Sequence, residues 1–295
     1  MKTADNPTLG IMIMASAMLV APFMDLFAKW ATDYVVPGEV ALGRFAAQTI
    51  LLIPVVFLVR EWCWPKRAHL LAGVCAAIAI LSINSALKVM PIANAIAIFF
   101  VEPLILTLLS AWILGERLGW RRLTAVSVGL VGALIVLRPN VELYGWAAVY
   151  PLITAFAFAG YMIIMRVLSP GGGRIAMQFW MGATAALVLL GVLVLGTTAG
   201  VEALTLTVPP IEALCLFLAA GGLACLIHQM IAQALARAEA GALAPLQYLE
   251  IVGATSIGLV FFSEFPDQWT LIGTLIIIAS GIYVFHRERQ VARAA

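Results

Sequence analysis

Charge is scarce in this chain. Of 295 residues only 11% are Asp, Glu, Lys or Arg, while 63% are hydrophobic and the mean hydropathy is +1.05. A soluble domain carries about 25% charged and roughly 45–50% apolar residues, so this excess excludes a water-soluble fold. Cysteine is scarce too: Cys63, Cys75, Cys215 and Cys225 show no C-x-x-C spacing, and no metal site is expected from them. The three histidines, His69, His228 and His286, are scattered. No G-x-S-x-G, H-E-x-x-H or Walker-type loop appears, which argues against an intramembrane enzyme and against an ATP-driven pump. A net charge of +2 gives no reason to expect a nucleic-acid partner, and no cofactor is expected. The first apolar stretch runs on to Asp25 and Lys29 without an A-x-A-type site, so it reads as a retained helix and not a cleaved signal.

What the chain has is long apolar runs, each near the roughly 20 residues that cross a bilayer as a helix. Cutting at Pro, Gly and charge clusters predicts ten spans: 9–30, 38–59, 69–88, 92–114, 123–137, 146–167, 175–196, 211–235, 241–263 and 269–286. The expected fold is an all-α polytopic membrane protein. The connectors are short, and the longest, around 197–210, is Thr-rich and ends in Pro209-Pro210. With the N-terminus in the cytoplasm, the inner segments hold Lys2, Arg60, Lys66, Arg67, Arg117, Arg121, Arg122, Arg166, Arg174, Arg237, Arg287, Arg289 and Arg293. Only Lys29, Lys88 and Arg138 fall outside, with Arg44 inside span two. The positive-inside rule therefore places both termini in the cytoplasm.

Sliding the chain on itself by 148 residues lays Ala86-Leu87 on Ala234-Leu235, Glu102 on Glu250, Glu116 on Glu264 and Leu123 on Leu271. Two coincident carboxylates in so uncharged a chain point to a duplication, with halves 1–140 and 141–295. Five spans per half is an odd number, so the second copy enters the membrane from the opposite side. Such a five-plus-five inverted-topology repeat is the architecture of a secondary transporter, with its site near the midplane between the repeats and alternating access by rocking.

The stretch Phe100-Val101-Glu102-Pro103-Leu104, followed by Leu114-Gly115-Glu116-Arg117 and Gly129-Leu130-Val131-Gly132, resembles the EamA-type domain of the drug/metabolite transporter superfamily. The resemblance covers the chain as two tandem copies. It is weaker in the second, where Ser263 replaces the Gly before Glu264 and no Pro follows Glu250. It implies a ten-helix transporter of amino acids, vitamins, nucleotide-like metabolites or amphiphilic drugs, in a bacterial inner membrane. The segment from Phe99 to Arg122 is also similar to the subgroup with riboflavin and S-adenosylmethionine importers. The expected substrate is thus a small organic metabolite. Export of amphiphilic drugs or lipophilic cations is the competing reading, and direction of transport stays open. The lipid bilayer is the expected solvent, protons are a candidate coupling ion, and a homodimer is compatible with the sequence.

A charged group at the bilayer centre costs at least about 2.5–3.5 kcal/mol, so each needs a partner, a proton or an aqueous cavity. Glu102 and Glu250 fall near the middle of spans four and nine, either lining the cavity or serving as paired scaffolding. Arg44, with Gln48 one turn on, needs an anion: Glu102, Asp25, a substrate group, or Glu39 if it snorkels outward. Asp25 and Lys29 are spaced to neutralise one another. His228, Gln229 and Gln233 share one side of span eight and, with Gln247, form a neutral polar strip. Like Asn84 and Asn94, they are either ligand groups or interhelical glue. Of the aromatics Phe45, Phe99, Phe100, Phe156, Tyr161, Phe179, Trp180 and Tyr248, those facing the cavity would suit a flat ring, Phe99, Tyr161, Trp180 and Tyr248 being the candidates. Glu116 and Glu264 end equivalent helices and read as structural. Ala125, Gly129 and Ala133 give span five a smooth face, with Ser280-Gly281 its looser counterpart in span ten. Pro22, Pro54, Pro103 and Pro151 are candidate kinks, and Pro103 beside Glu102 is the candidate hinge.

Overall fold

The computed structural model describes residues 7–60, 62, 64–114, 120–168, 174–237 and 244–294. Lys2, Cys63, Gly115, Glu116 and Arg117 lie outside the described residues, as do the side chains of Arg121, Arg122, Arg138, Arg166, Arg174 and His286. All regular structure among the described residues is helical. The α-helices are α1 Pro7–Val20, α2 Pro22–Ala31, α3 Pro37–Val59, α4 Arg67–Leu87, α5 Ile92–Phe99, α6 Glu102–Leu114, α7 Trp120–Tyr144, α8 Tyr150–Leu168, α9 Arg174–Thr198, α10 Ile211–Arg237, α11 Leu249–Phe262 and α12 Gln268–Ala294.

Among the described residues, seven helical stretches are long and apolar enough to cross a membrane, which makes this a multi-pass membrane protein. One of them, Leu123–Ile164, spans both α7 and α8, which are joined by a 3₁₀ turn at Gly145–Val149. That turn opens on Gly145 at φ +61, a conformation that only glycine adopts cheaply. Leu246–Phe262 and Gln268–Ser280 are shorter apolar stretches.

The prolines act unequally. Helix α1 stops at Val20 and restarts at Pro22, and α5 stops at Phe99 and restarts at Glu102, just before Pro103. Proline has no N–H and its ring clashes with the carbonyl of the preceding turn, so the helix yields there. By contrast α3 runs unbroken through Pro54, and Pro151 sits in the first turn of α8, where a missing N–H costs nothing. Pro151 is therefore not a mid-helix position, contrary to the sequence expectation, whereas Pro54 does stand inside its helix.

Helix ends are closed locally. Pro37 opens α3, and Arg60 ends it in the left-handed conformation with φ 56, donating its N–H back to the Phe57 carbonyl. The backbone N–H of Lys66 donates to Nδ1 of His69 at 2.8 Å, so that histidine caps α4.

Two compact units emerge, each drawn from both halves of the sequence. The first comprises Met1–Phe23, Pro91–Ala148 and Leu226–Ala295. In it α7 packs along α12 through glycine. A Cβ at Gly132 would meet the Gly273 carbonyl oxygen at 3.0 Å, and Gly129 faces Leu104 and Ser280. Gly253 of α11 lies against Leu19 and Pro22. The second unit comprises Met24–Met90 and Val149–Cys225. Its core joins α3, α4, α8 and α9 around Phe45, Ala76, Tyr161, Met181 and Leu189. Small residues again set the spacing: a Cβ on Gly73 would stand 2.9 Å from the Met181 carbonyl oxygen, and one on Gly221 2.8 Å from the Gln48 nitrogen. With no hydrophobic drive between helices in lipid, such close backbone approach is what association rests on.

Candidate functional site

The strongest candidate lies in the first unit, where α5 breaks. Phe100 and Val101 form a turn between α5 and α6, and Glu102 stands in the first turn of α6. Its side chain is only 7% exposed and its Oε1 accepts no hydrogen bond. The ring of Phe100, itself buried, lies 5.4 Å from that of Tyr248 and 5.7 Å from that of Phe99. The Glu102 carboxylate acts electrostatically on the Tyr248 hydroxyl. Tyr248 closes a 3₁₀ segment, Ala244–Tyr248, directly before α11, and Glu250 stands in the first turn of α11, half-buried. Each carboxylate thus follows an interruption in the chain's helical path and occupies a helix N-terminus, where the dipole favours its anionic form.

Also in this unit, the Asn94 amide donates to Oδ1 of Asn140 at 2.8 Å, and Asn140 donates in turn to the Val136 carbonyl at 2.7 Å. Both side chains are buried. This relay ties α5 to α7, so Asn94 acts as interhelical glue.

A second cluster of buried polar groups belongs to the second unit. Arg44 is 8% exposed with its guanidinium carbon 5.9 Å from the centre of the Phe45 ring, and the acid acting on it is Asp25, also 8% exposed. Glu39 is engaged elsewhere: it accepts the Thr207 backbone N–H, and the Thr207 hydroxyl lies 3.1 and 3.0 Å from its two oxygens. Lys29 donates to the Met90 carbonyl at 3.1 Å. Gln48 is 1% exposed with its Nε2 unbonded, close to Gly182. Asn84 is equally buried, and neither atom of its amide is hydrogen-bonded.

The remaining predicted residues are spread out. Tyr161 lies in the core of the second unit with Phe45, and Trp180 joins Phe179 and Trp62 in an aromatic cluster, 5.5 Å from Trp62. Phe156 is 58% exposed. His228, Gln229 and Gln247 are half-buried, whereas Gln233 is exposed and bonded to Arg237 on its own helix. Sequence reasoning missed Asn140, Gln178 and Thr207. Gln178 alone carried a signal, as an amide in an apolar run; it is buried with its Nε2 unbonded. A cleft of about 380 Å³ among Trp30, Asp33, Tyr34, Glu212, Cys215 and Leu216 was likewise not anticipated.

An all-helical chain with membrane-length apolar helices and buried ionisable groups in their midst belongs to the class of polytopic membrane proteins. More particularly, residues 8–138 match the EamA-like transporter family. Over 269 residues it is 29% identical to an S-adenosylmethionine uptake transporter of Rickettsia bellii, covering 90% of this chain and 89% of that one. Over 286 residues it is 26% identical to a riboflavin transporter of Rhizobium johnstonii, covering 95% and 92%. A solved crystal structure of another protein superposes with a TM-score of 0.63 at 21% identity, covering 94% of this chain and 96% of that one, which shows a shared fold.

Proposed function

We propose that the protein is a secondary active transporter that moves a small organic metabolite across a bacterial inner membrane by alternating access. In this reading the chain makes ten spans as two inverted repeats, 1–140 and 141–295, with both termini in the cytoplasm. The relatives named for S-adenosylmethionine uptake and riboflavin transport support a metabolite as cargo. Helix boundaries support the duplication: the shift that lays Glu102 on Glu250 carries Glu102–Leu114 onto 250–262, all of Leu249–Phe262 but its first residue, and Trp120 onto Gln268, where α12 begins.

The observation that carries the reading is Glu102. A buried carboxylate with an unbonded oxygen, placed at a helix interruption within an apolar span, is costly to maintain unless it is used. Interrupted helices are where transporters expose backbone and charge to cargo. The test is uptake of radiolabelled S-adenosylmethionine and of riboflavin into proteoliposomes. Saturable accumulation above empty vesicles is expected for at least one, falling by about tenfold, or about 1.4 kcal/mol, in Glu102→Gln. Absence of saturable flux of both by folded protein would overturn the reading, as would a C-terminal reporter found outside the cell.

A further inference from the structure

We propose that the connector between α3 and α4 is a docking site for an anionic phospholipid, its head group held by Arg60, Lys66 and Arg67 around the Trp62 ring. The inference needs only that the chain is a multi-pass membrane protein. It stands whatever the cargo is and whichever leaflet the connector faces. Three observations carry it, all within the second compact unit. The first is depth. The apolar stretch of α3 ends at Val59 and that of α4 begins at Arg67, so the residues between them are fixed at the edge of the hydrocarbon layer, where head groups lie.

The second is shape. Arg60 ends α3 at φ 56, and the Trp62 ring lies back on Phe57 in the last turn of that helix, 5.8 Å away and 10° from parallel. The same ring reaches α9, at 5.9 Å from Phe179 and 5.5 Å from Trp180, while Trp64 meets it edge-on at 6.4 Å. Stacking thus holds Trp62 against the ends of two helices, yet both indoles of the connector stay exposed, at the interfacial level that such rings favour. The third is charge. Residues 60–67 hold three cations against one acid, Glu61. Arg60, Lys66 and Arg67 are all exposed, and none is in an ion pair among the described residues. Cations in a loop satisfy topology wherever they fall, but these three flank a fixed ring platform. Their donors suit a phosphate, which takes charge-assisted hydrogen bonds from guanidinium and ammonium groups. Phe57 and Leu58, exposed one turn below, leave the acyl chains an apolar surface. A zwitterionic head group brings its own cation to this cluster and gains less, so the site selects net negative charge.

The test sets phosphatidylglycerol against phosphatidylcholine of the same acyl chains, which differ in net charge and share the phosphate. Purified full-length protein in detergent is titrated with each lipid, and retained lipid is counted by native mass spectrometry. Phosphatidylglycerol is expected to bind about tenfold tighter or more. The triple variant Arg60→Gln, Lys66→Gln, Arg67→Gln should bring the two lipids level, and Trp64→Leu should weaken phosphatidylglycerol by about threefold or more. Lys88→Gln, which removes an exposed cation at the other end of α4, is the charge control and should leave the preference intact. A reading that needs no variant is salt: the wild-type preference should fall by about fivefold or more between about 50 mM and 500 mM, because exposed charges are screened. The proposal is overturned if the lipids bind alike, if the preference survives the triple variant or high salt, or if Lys88→Gln removes it as fully as the triple variant. Displacement of the lipid by millimolar inorganic phosphate would also overturn it, since the connector would then bind the free anion and not a lipid. None of these outcomes depends on transport, so the transporter reading stands or falls separately.

Discussion

The rings of Phe100 and Tyr248 lie 5.4 Å apart at an interplanar angle of 41°, and the 148-residue shift that lays Glu102 on Glu250 also lays Phe100 on Tyr248. In the inverted-repeat reading proposed above these two positions are counterparts, and residue i meeting its own counterpart is what a two-fold relation would produce at its axis. Tilted aromatic pairs are worth about 0.5–1.5 kcal/mol beyond the area they bury. A double-mutant cycle of Phe100→Leu and Tyr248→Leu, followed by denaturant unfolding in detergent, should return a coupling in that range. Strict additivity would mean the rings are neighbours without being partners.

Asn94 and Asn140 should couple in the same way, for a different reason. Interhelical hydrogen bonds in membranes average about 0.6 kcal/mol and reach about 1.7 kcal/mol. Breaking one side only also strands a buried amide, at about 1–3 kcal/mol. Asn140→Leu alone should therefore destabilise more than Asn94→Leu with Asn140→Leu together. A double variant that unfolds more readily than the single would refute the relay.

These two pairs mark where sequence reasoning runs out. Apolar runs locate the helices because a bilayer demands length and charge exclusion, both of which are one-dimensional properties. The interruption before Glu102 was legible from Pro103, and the one before α11 carried its own signal in Pro245, although the sequence reading took 241–263 as a single span. Pro54 shows the limit of that signal, since α3 passes through it unbroken. Glu102 was legible as a charge in an apolar run, but not that its oxygen would be unbonded, because that depends on what other helices fail to offer. Partners such as Asn140 for Asn94, or Thr207 for Glu39, 168 residues away, follow from packing and leave no local trace.

The Glu39 carboxylate fastens the loop around Thr207 to the start of α3 with a backbone and a hydroxyl donor. A hydrogen bond to a charged group contributes about 1.5–3 kcal/mol. Removing the acceptor by Glu39→Ala should speed exchange of the Thr207 amide by about ten- to a hundredfold, as each 1.4 kcal/mol is a factor of ten. Thr207→Val keeps the N–H donor and should show a smaller acceleration. Hydrogen exchange read by mass spectrometry over 199–210 separates the cases. Equal exchange in wild type and Glu39→Ala would mean that the loop is held by something else.

Two glycines offer the sharpest contrast in packing. A Cβ on Gly221 of α10 would stand 2.8 Å from the Gln48 nitrogen and 2.9 Å from the Arg44 carbonyl oxygen, both backbone atoms of α3 that cannot swing aside. Gly221→Ala must push α10 off α3, and overpacking of this kind costs about 1–3 kcal/mol. Around Gly191 of α9 nothing lies within 4 Å of the added carbon, so Gly191→Ala meets no clash and gains about 0.5–1 kcal/mol of helix stability. Melting of the purified variants in one detergent should move down for the first and stay level or rise for the second. Because Arg44 and Gln48 lie on the stretch of α3 that α10 covers, Gly221→Ala should also lower whatever transport the wild type supports. If Gly221→Ala melts like wild type, α10 does not approach α3 as closely as the structure has it.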